Sequence, residues 1–304
     1  MFPAFLTTLC FSISAVSASR MARILGGMEA NFWRILLATF LLGLYAHSFG
    51  GGLAGPALGM FLLSGLVGFG VGDVALYQAL PRLGSRLSMV LVHCLAAPLA
   101  ALAEWLWMGE AVTPREITCG LVILAGVAVA LAPSGLAHIP RRALWIGAAC
   151  GFVAAFGQGM GAVLSRKANL IAEAAGSTVD GGTAAYQRIW GGVLVASLSF
   201  ALLKWRRSGA LPPEGRPPGW GALRLASKWI GVNAMAGPVL GVSCFQWALA
   251  TTKTGVVLPI VALTPLVIIP FSCWIEGEKP SRRSLLGGAV AVAGVVLLKL
   301  NLAP

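Results

Sequence analysis

The segment Gly109–Leu131, GEAVTPREITCGLVILAGVAVAL, is written a second time 168 residues later, where Gly277–Leu298 reads GEKPSRRSLLGGAVAVAGVVLL. Gly109, Glu110, Arg115, Gly120, Val122, Ala125, Gly126 and Val127 each meet the same residue at that one offset, without a gap. Two Gly/Ala/Val-rich runs share a few positions by chance, but a Glu and an Arg held in the same register are harder to dismiss. Solenoid units are about 20–50 residues long, so a repeat of half the chain indicates a duplicated domain instead.

The solvent follows from composition. Of 304 residues, 58% are apolar and 11% charged, and the mean hydropathy is +0.85. A soluble domain carries about 25% charged residues. Apolar runs near 20 residues recur along the chain, each suited to a helix across a hydrocarbon core about 30 Å thick. A membrane barrel would instead alternate in segments of about 10 residues. The expected class is therefore an all-α polytopic membrane protein. Lys and Arg exceed Asp and Glu by 12. These cations sit between the apolar runs, where they set topology and meet lipid headgroups, so no nucleic acid is expected as a partner. Cys10, Cys94, Cys119, Cys150, Cys244 and Cys273 all fall inside apolar runs without a C-x-x-C pair. They read as small apolar side chains, not as metal ligands or disulfides.

Ten spans are predicted, at 2–18, 31–47, 57–80, 86–108, 117–133, 143–165, 184–203, 229–250, 255–275 and 284–301. The first lacks the positive leader of a signal peptide, and its end, Ser19-Arg20 then Ala22, returns after the sixth as Ser165-Arg166 then Ala168. It is read as a retained helix. The second span begins Phe32-Trp33-Arg34 and the seventh Tyr186-Gln187-Arg188. The third holds Gly72 and ends Ala79-Leu80, and the eighth holds Gly241 and ends Ala248-Leu249. Spans 1–5 thus map in order onto spans 6–10. The predicted units are 1–133, a linker 134–142, and 143–304. Five spans is an odd number, so the second copy re-enters from the opposite side. That gives two inverted-topology five-helix repeats, an arrangement of secondary transporters with the solute site between the repeats. Loops after odd-numbered spans hold 15 Lys and Arg, and loops after even-numbered spans hold 5. The positive-inside rule then places both termini outside the cytoplasm.

The paired Gly-Glu hairpins, the aromatic-x-Arg starts of spans 2 and 7 and the Ala-Leu ends of spans 3 and 8 resemble the EamA family of the drug/metabolite transporter superfamily, as two tandem EamA units. The resemblance covers nearly the whole chain. It implies a transporter of small organic solutes, often an exporter of amino acids or other metabolites, in a bacterial inner membrane. It implies a central cavity lined by spans 1, 3, 4, 6, 8 and 9, with spans 5 and 10 peripheral. Family habit places both termini in the cytoplasm, against the loop charge. Substrate is not fixed by the resemblance.

Asp73 is the first candidate for chemistry, because a carboxyl at membrane depth is costly and faces a cavity or a partner. Tyr77 lies one turn on, on the same face. The eighth span has Val242 where the third has Asp73, so the repeat scaffold does not require the acid. It either couples protons or binds a cationic group, or it pairs structurally with Arg82 or Arg86. Glu104 follows His93 by eleven residues, nearly on one helix face and about 16 Å along the axis, with Pro98 between them as a predicted kink. The two either form a proton path or, respectively, snorkel beside Trp105, Trp107 and Glu110 and fill a helix contact. Ser64, Gln78, Gln158, Asn233, Ser243 and Gln246 either line a cavity or join helices. Among the aromatics Trp190, Trp107, Tyr77 and Trp247, Trp247 is the one best placed to stack on a solute; the competing role is an interfacial anchor. Glu110 and Glu278, with Arg115 and Arg283, are expected to cap the helices that follow. Pro98, Pro238, Pro259, Pro265 and Pro270 interrupt spans 4, 8 and 9, where broken helices often mark transport sites.

No P-loop, G-x-S-x-G or H-E-x-x-H occurs in the sequence. No enzyme activity, cofactor or metal is expected, and transport would run on a gradient, with proton coupling a possibility, or be facilitative. Three readings stand: an exporter of metabolites, amino acids or drugs; an importer or facilitator of nucleosides or sugar derivatives; and a non-transporting membrane scaffold, whose centre would be packed. The expected partners are a small solute and lipid, with a monomer sufficient.

Overall fold

The computed structural model describes residues 1–131, 139–207, 219–267 and 282–302. All regular structure among them is helical. In order these are α1 (Phe2–Leu25), α2 (Gly27–Ser48), α3 (Leu58–Gly65), α4 (Asp73–Met108), α5 (Pro114–Leu131), α6 (Arg141–Ala174), α7 (Gly181–Arg207), α8 (Gly219–Ala234), α9 (Val242–Thr251), α10 (Thr254–Val261) and α11 (Arg282–Leu302). The helices follow the ten predicted segments. Phe2–Leu25, Leu58–Ala79, Leu87–Met108, Arg141–Ala174 and Trp220–Thr251 are long and apolar enough to cross a membrane. Asn31, Arg34 and His47 dilute α2, and Gln187 and Arg188 dilute α7, so the hydropathy of these helices is interrupted at specific polar positions.

Two features were not expected. The helical backbone is continuous through residues 80–86, yet Ala75 and Val92 pack in one cluster with Ala154 of α6. The chain therefore doubles back near residue 83, and α4 supplies the end of the third predicted span and all of the fourth. Second, the third and eighth spans each contain a seven-residue widened π-helical segment, Leu66–Gly72 and Met235–Gly241. They occupy matching places in the two halves, just ahead of Asp73 and Val242. A π segment is rare and marks a local departure from the i→i−4 ladder. Pro98 does not break α4, which runs through it.

Local chemistry sets the boundaries. Gly26 and Gly109 adopt φ values of 84° and 71°, which L side chains resist, and they end α1 and α4. The start of α5 is a capping box. The Thr113 amide donates to the Glu116 carboxylate at 2.7 Å, and the Glu116 amide to the Thr113 hydroxyl at 3.3 Å. At α7, the Gly182 and Thr183 amides donate to Asp180 at 2.9 and 3.0 Å.

Packing brings matching helices of the two halves together head to tail. Along α2 and α7, Phe32 stacks on Phe200 at 4.4 Å, while farther up α2 His47 meets Tyr186 at 3.2 Å. Along α5 and α11, a Cβ on Gly126 would lie 2.9 Å from the Ala291 Cα, and one on Gly294 3.1 Å from the Ile123 amide nitrogen. Position rises along one helix as it falls along the other, so both pairs are antiparallel. Backbones this close need glycine at the crossing. The second Gly-Glu turn, Gly277-Glu278, lies outside the described residues, as do Cys273, Pro270, most of the predicted linker and the middle of the 204–228 loop. The five other cysteines form no disulfide among the described residues.

Candidate functional site

The polar centre forms where α2, α4, α6 and α7 meet the first π segment. Arg34 of α2 makes an ion pair with Asp73, the first residue after that segment. Its Nε also donates to Asn31 at 2.8 Å, which holds the guanidinium against its own helix. The guanidinium lies 6.0 Å from the ring centre of Tyr77, so Asp73 and Tyr77 both face Arg34 from one side of α4. Both side chains of the ion pair are largely withdrawn from solvent. Breaking such a pair by removing one partner costs about 3–5 kcal/mol, because the other charge stays buried.

A second arginine stands beside this pair. Arg188 of α7 is 3% exposed, and its charge acts on the Asp73 carboxylate. Its guanidinium lies 4.9 Å from the Phe69 ring centre and 6.0 Å from that of Phe245. Glycines make room for it: a Cβ on Gly161 would come 2.9 Å from Nη2, and one on Gly68 closer still. Among the described residues it makes no hydrogen bond, and its Nε is buried without a partner. An arginine at the middle of a membrane helix costs roughly 2.5–3.5 kcal/mol on insertion scales. Cation–π contact recovers about 0.5–2 kcal/mol per favourable ring. The group of two arginines and one carboxylate carries one net positive charge.

From the sequence, Arg34 and Arg188 stand out as matching marks of the repeat and not as site residues. The signal was present, since they are the two cations placed inside predicted helices while the rest sit at loops or helix ends. Arg82 and Arg86 had been named as partners for Asp73. Arg82 instead donates to the Gln78 carbonyl and side chain at 2.5 and 3.0 Å, so Gln78 belongs to the hairpin tip and not to the centre. The Arg86 side chain lies outside the described residues.

Glu104 departs from both readings given to it. It is 0% exposed, and its carboxylate accepts the amides of Thr254 and Gly255 at 2.8 and 3.1 Å. It neither snorkels nor faces His93. It caps the start of α10 from across the bundle, where an acidic group meets the positive end of the helix dipole. His93 is half-buried and makes no hydrogen bond among the described residues. Glu110 likewise does not cap α5. It pairs with Arg166 at 3.0 Å, and Arg166 also closes the end of α9 through the carbonyls of Leu249 and Ala250.

The remaining candidates divide between structural links and outward positions. Asn233 donates to the Ser14 carbonyl at 2.7 Å and joins α8 to α1. Ser64 bonds the Gly161 carbonyl and Ser165 at 2.6 and 2.7 Å. Ser243 returns to the Val239 carbonyl. Gln158 sits half-buried between Gly157, which meets Gly72, and Gly159, which meets Ala96. Trp247 is 49% exposed. Trp107 and Trp190 also face outward in part. Gln246 is different: it is 1% exposed, and neither atom of its amide has a hydrogen-bond partner among the described residues.

Two hollows lie away from the centre. One, lined by Phe32, Ile35, Leu36, Val193, Ala196 and Ser197, has no room for water; a shallow one of about 260 Å³ lies at Pro114, Arg115, Thr118 and Cys119. The expected central cavity is not among these two, and the side chains described above pack the region around Asp73.

The family model for EamA-like transporters matches residues 1–132 and again 145–300. The chain belongs to the EamA-like transporter family. It consists of two tandem EamA units, and it is an integral membrane protein of a family of transporters, not enzymes. A solved crystal structure of a protein superposes on it with a TM-score of 0.72 at 19% identity, covering 99% of this chain and 96% of that one. At that identity the likeness speaks to the fold alone. Curated protein sequences give no match.

Proposed function

We propose that this EamA protein is a secondary transporter that exports small organic solutes, such as metabolites, amino acids or drugs, across a bacterial inner membrane. The two units would work as inverted repeats that rock against each other in alternating access. The antiparallel contacts of α2 with α7 and of α5 with α11 support the inversion, because matching helices of two inverted copies run in opposite directions. The observation that carries the reading is the buried ion pair of Arg34 and Asp73 with Arg188 beside it, at a π segment. Charged groups at membrane depth are expensive and mark solute or ion pathways. Asp73 is the ionisable control point: protonation would release Arg34 and loosen α2 from α4.

The test is flux in proteoliposomes. Asp73→Asn, a mimic of the protonated acid, should remove the pH dependence of transport. Unchanged flux with unchanged pH dependence would sink the coupling role. A non-transporting scaffold is the second reading, favoured by the packed surroundings of Asp73. Absence of flux for every solute that binds the purified protein would support it. Counterflow against inward and outward gradients separates an exporter from an importer or facilitator.

A further inference from the structure

We infer that Arg188 is the receptor for an oxyanion carried by the solute, so that the substrates of this transporter are organic acids bearing a carboxylate. The inference rests on the transport reading above for the word substrate, but the binding site stands on its own geometry.

The two halves place the same kinds of residue around their π segments and then diverge. In the first half Arg34 has Asp73 as its partner and Tyr77 one turn further on. In the second, the positions matching Asp73 and Tyr77 are Val242 and Gln246. Val242 is buried in an apolar cluster with Ile35, Phe69 and Ile189. Arg188 therefore lacks the acid that its counterpart has. It is nine-tenths buried and more, its Nε has no partner among the described residues, and it faces the rings of Phe69 and Phe245. Gln246, at the other matching position, keeps both ends of its amide unbonded. At these matching positions the second half thus leaves Arg188 Nε and the Gln246 amide without partners among the described residues, where Arg34 and Asp73 of the first half pair with each other.

Charge points the same way. Arg34, Arg188 and Asp73 sum to one positive charge, and a solute carboxylate brings it to zero. An arginine fork donates to two carboxylate oxygens in a planar, bidentate contact. The Gly68 and Gly161 backbones lie directly against the guanidinium, where a Cβ on either would strike Nη2. Flanking aromatic rings suit an acid with an apolar body and offer nothing to a second charge. A cationic solute would meet a net positive site and be repelled.

The experiment measures binding to the full-length protein in detergent by isothermal titration, with matched probes: benzoate, benzamide and benzylamine, then hydrocinnamate and its amide. Benzoate and hydrocinnamate should bind at least about tenfold tighter than their amides, benzylamine should not bind, and Arg188→Gln should remove the acid preference while Arg188→Lys keeps part of it. Equal affinity for acid and amide in the wild-type protein, or an acid preference that survives in Arg188→Gln, would overturn the assignment. Because the acid–amide comparison uses the unaltered protein, it decides the question even if the variants fail to fold. Flux of the same probes in proteoliposomes separates the two claims. Acid binding without flux leaves the oxyanion site standing and removes the transport reading; flux of amides or amines without acid preference does the reverse.

Discussion

Glu104→Gln is the substitution that most directly tests how the two halves are joined. The carboxylate is wholly buried and accepts the first two amides of α10, at 2.8 Å from Thr254 and 3.1 Å from Gly255. Hydrogen bonds to a charged group contribute about 1.5–3 kcal/mol each. Glutamine keeps one acceptor oxygen and turns an NH2 group toward the other amide. One bond is lost and one buried donor is orphaned, so the expected cost is about 2–3 kcal/mol. Loss of the negative charge at the helix start adds up to about 1 kcal/mol. For a domain of 150–250 residues each kcal/mol moves the midpoint by about 2–4 °C, so a fall of roughly 5–15 °C is expected. Heating the detergent-solubilised protein while following tryptophan emission reads it, since the chain holds ten tryptophans. The pH dependence of flux should be unchanged, because the residue holds a helix and does not pass protons. A midpoint within about 1 °C of wild type, together with an altered pH profile of flux, would refute the capping role and return Glu104 to a proton path with His93.

Two further outcomes follow from groups at the aqueous ends. Thr113→Ala should lower the same midpoint by the equivalent of about 1 kcal/mol, and Glu116→Ala added to it should cost less than it does alone, because the two share one capping box. Asp180 lies in the loop ahead of α7; partial burial pushes its carboxyl up, but hydrogen bonds from Thr183, Tyr45 and Gly182 outweigh this and hold it below the usual carboxylate range. A carboxyl depressed in the folded state contributes stability above its unfolded value near 3.9, and that contribution is lost as pH falls through the folded value. Asp180→Asn should therefore lower the midpoint modestly at pH 7, by less than about 1 kcal/mol given its exposure, and the gap to wild type should close below about pH 4.

Composition, hydropathy and the repeated motifs were enough to read the class, the ten helical segments and the family, because hydropathy and repeat spacing are properties of the chain itself. The hairpin within α4 was legible as two apolar runs, although not its helical backbone through 80–86. Pairings across the bundle were not legible. Nothing local to Glu104 says that its partners are 150 residues away at the start of α10, and Arg82, nine residues from Asp73, looked nearer than Arg34 at thirty-nine. The π segments carried a weak signal in Gly68, Gly70 and Gly72 and in Gly237, Pro238 and Gly241. The capping box at Thr113–Glu116 was fully written in the sequence as T-x-x-E.

Duplication also explains which polar residues are free to change. Arg34 and Arg188 occupy matching sites, and a buried arginine without an acid is costly in any membrane helix. The second half carries Val242 where the first carries Asp73, so Arg188 has no acid at the matching position. It lies against the Gly68 and Gly161 backbones and faces the rings of Phe69 and Phe245. The first half spends its acid internally, and that pair can fasten α2 to α4 with no ligand present. The second half leaves its cation available. One half then acts as a latch and the other as a receptor, and an anion arriving at Arg188 competes with Asp73 for the charge of that arginine. That competition would couple solute binding to release of the Arg34 latch without a further device.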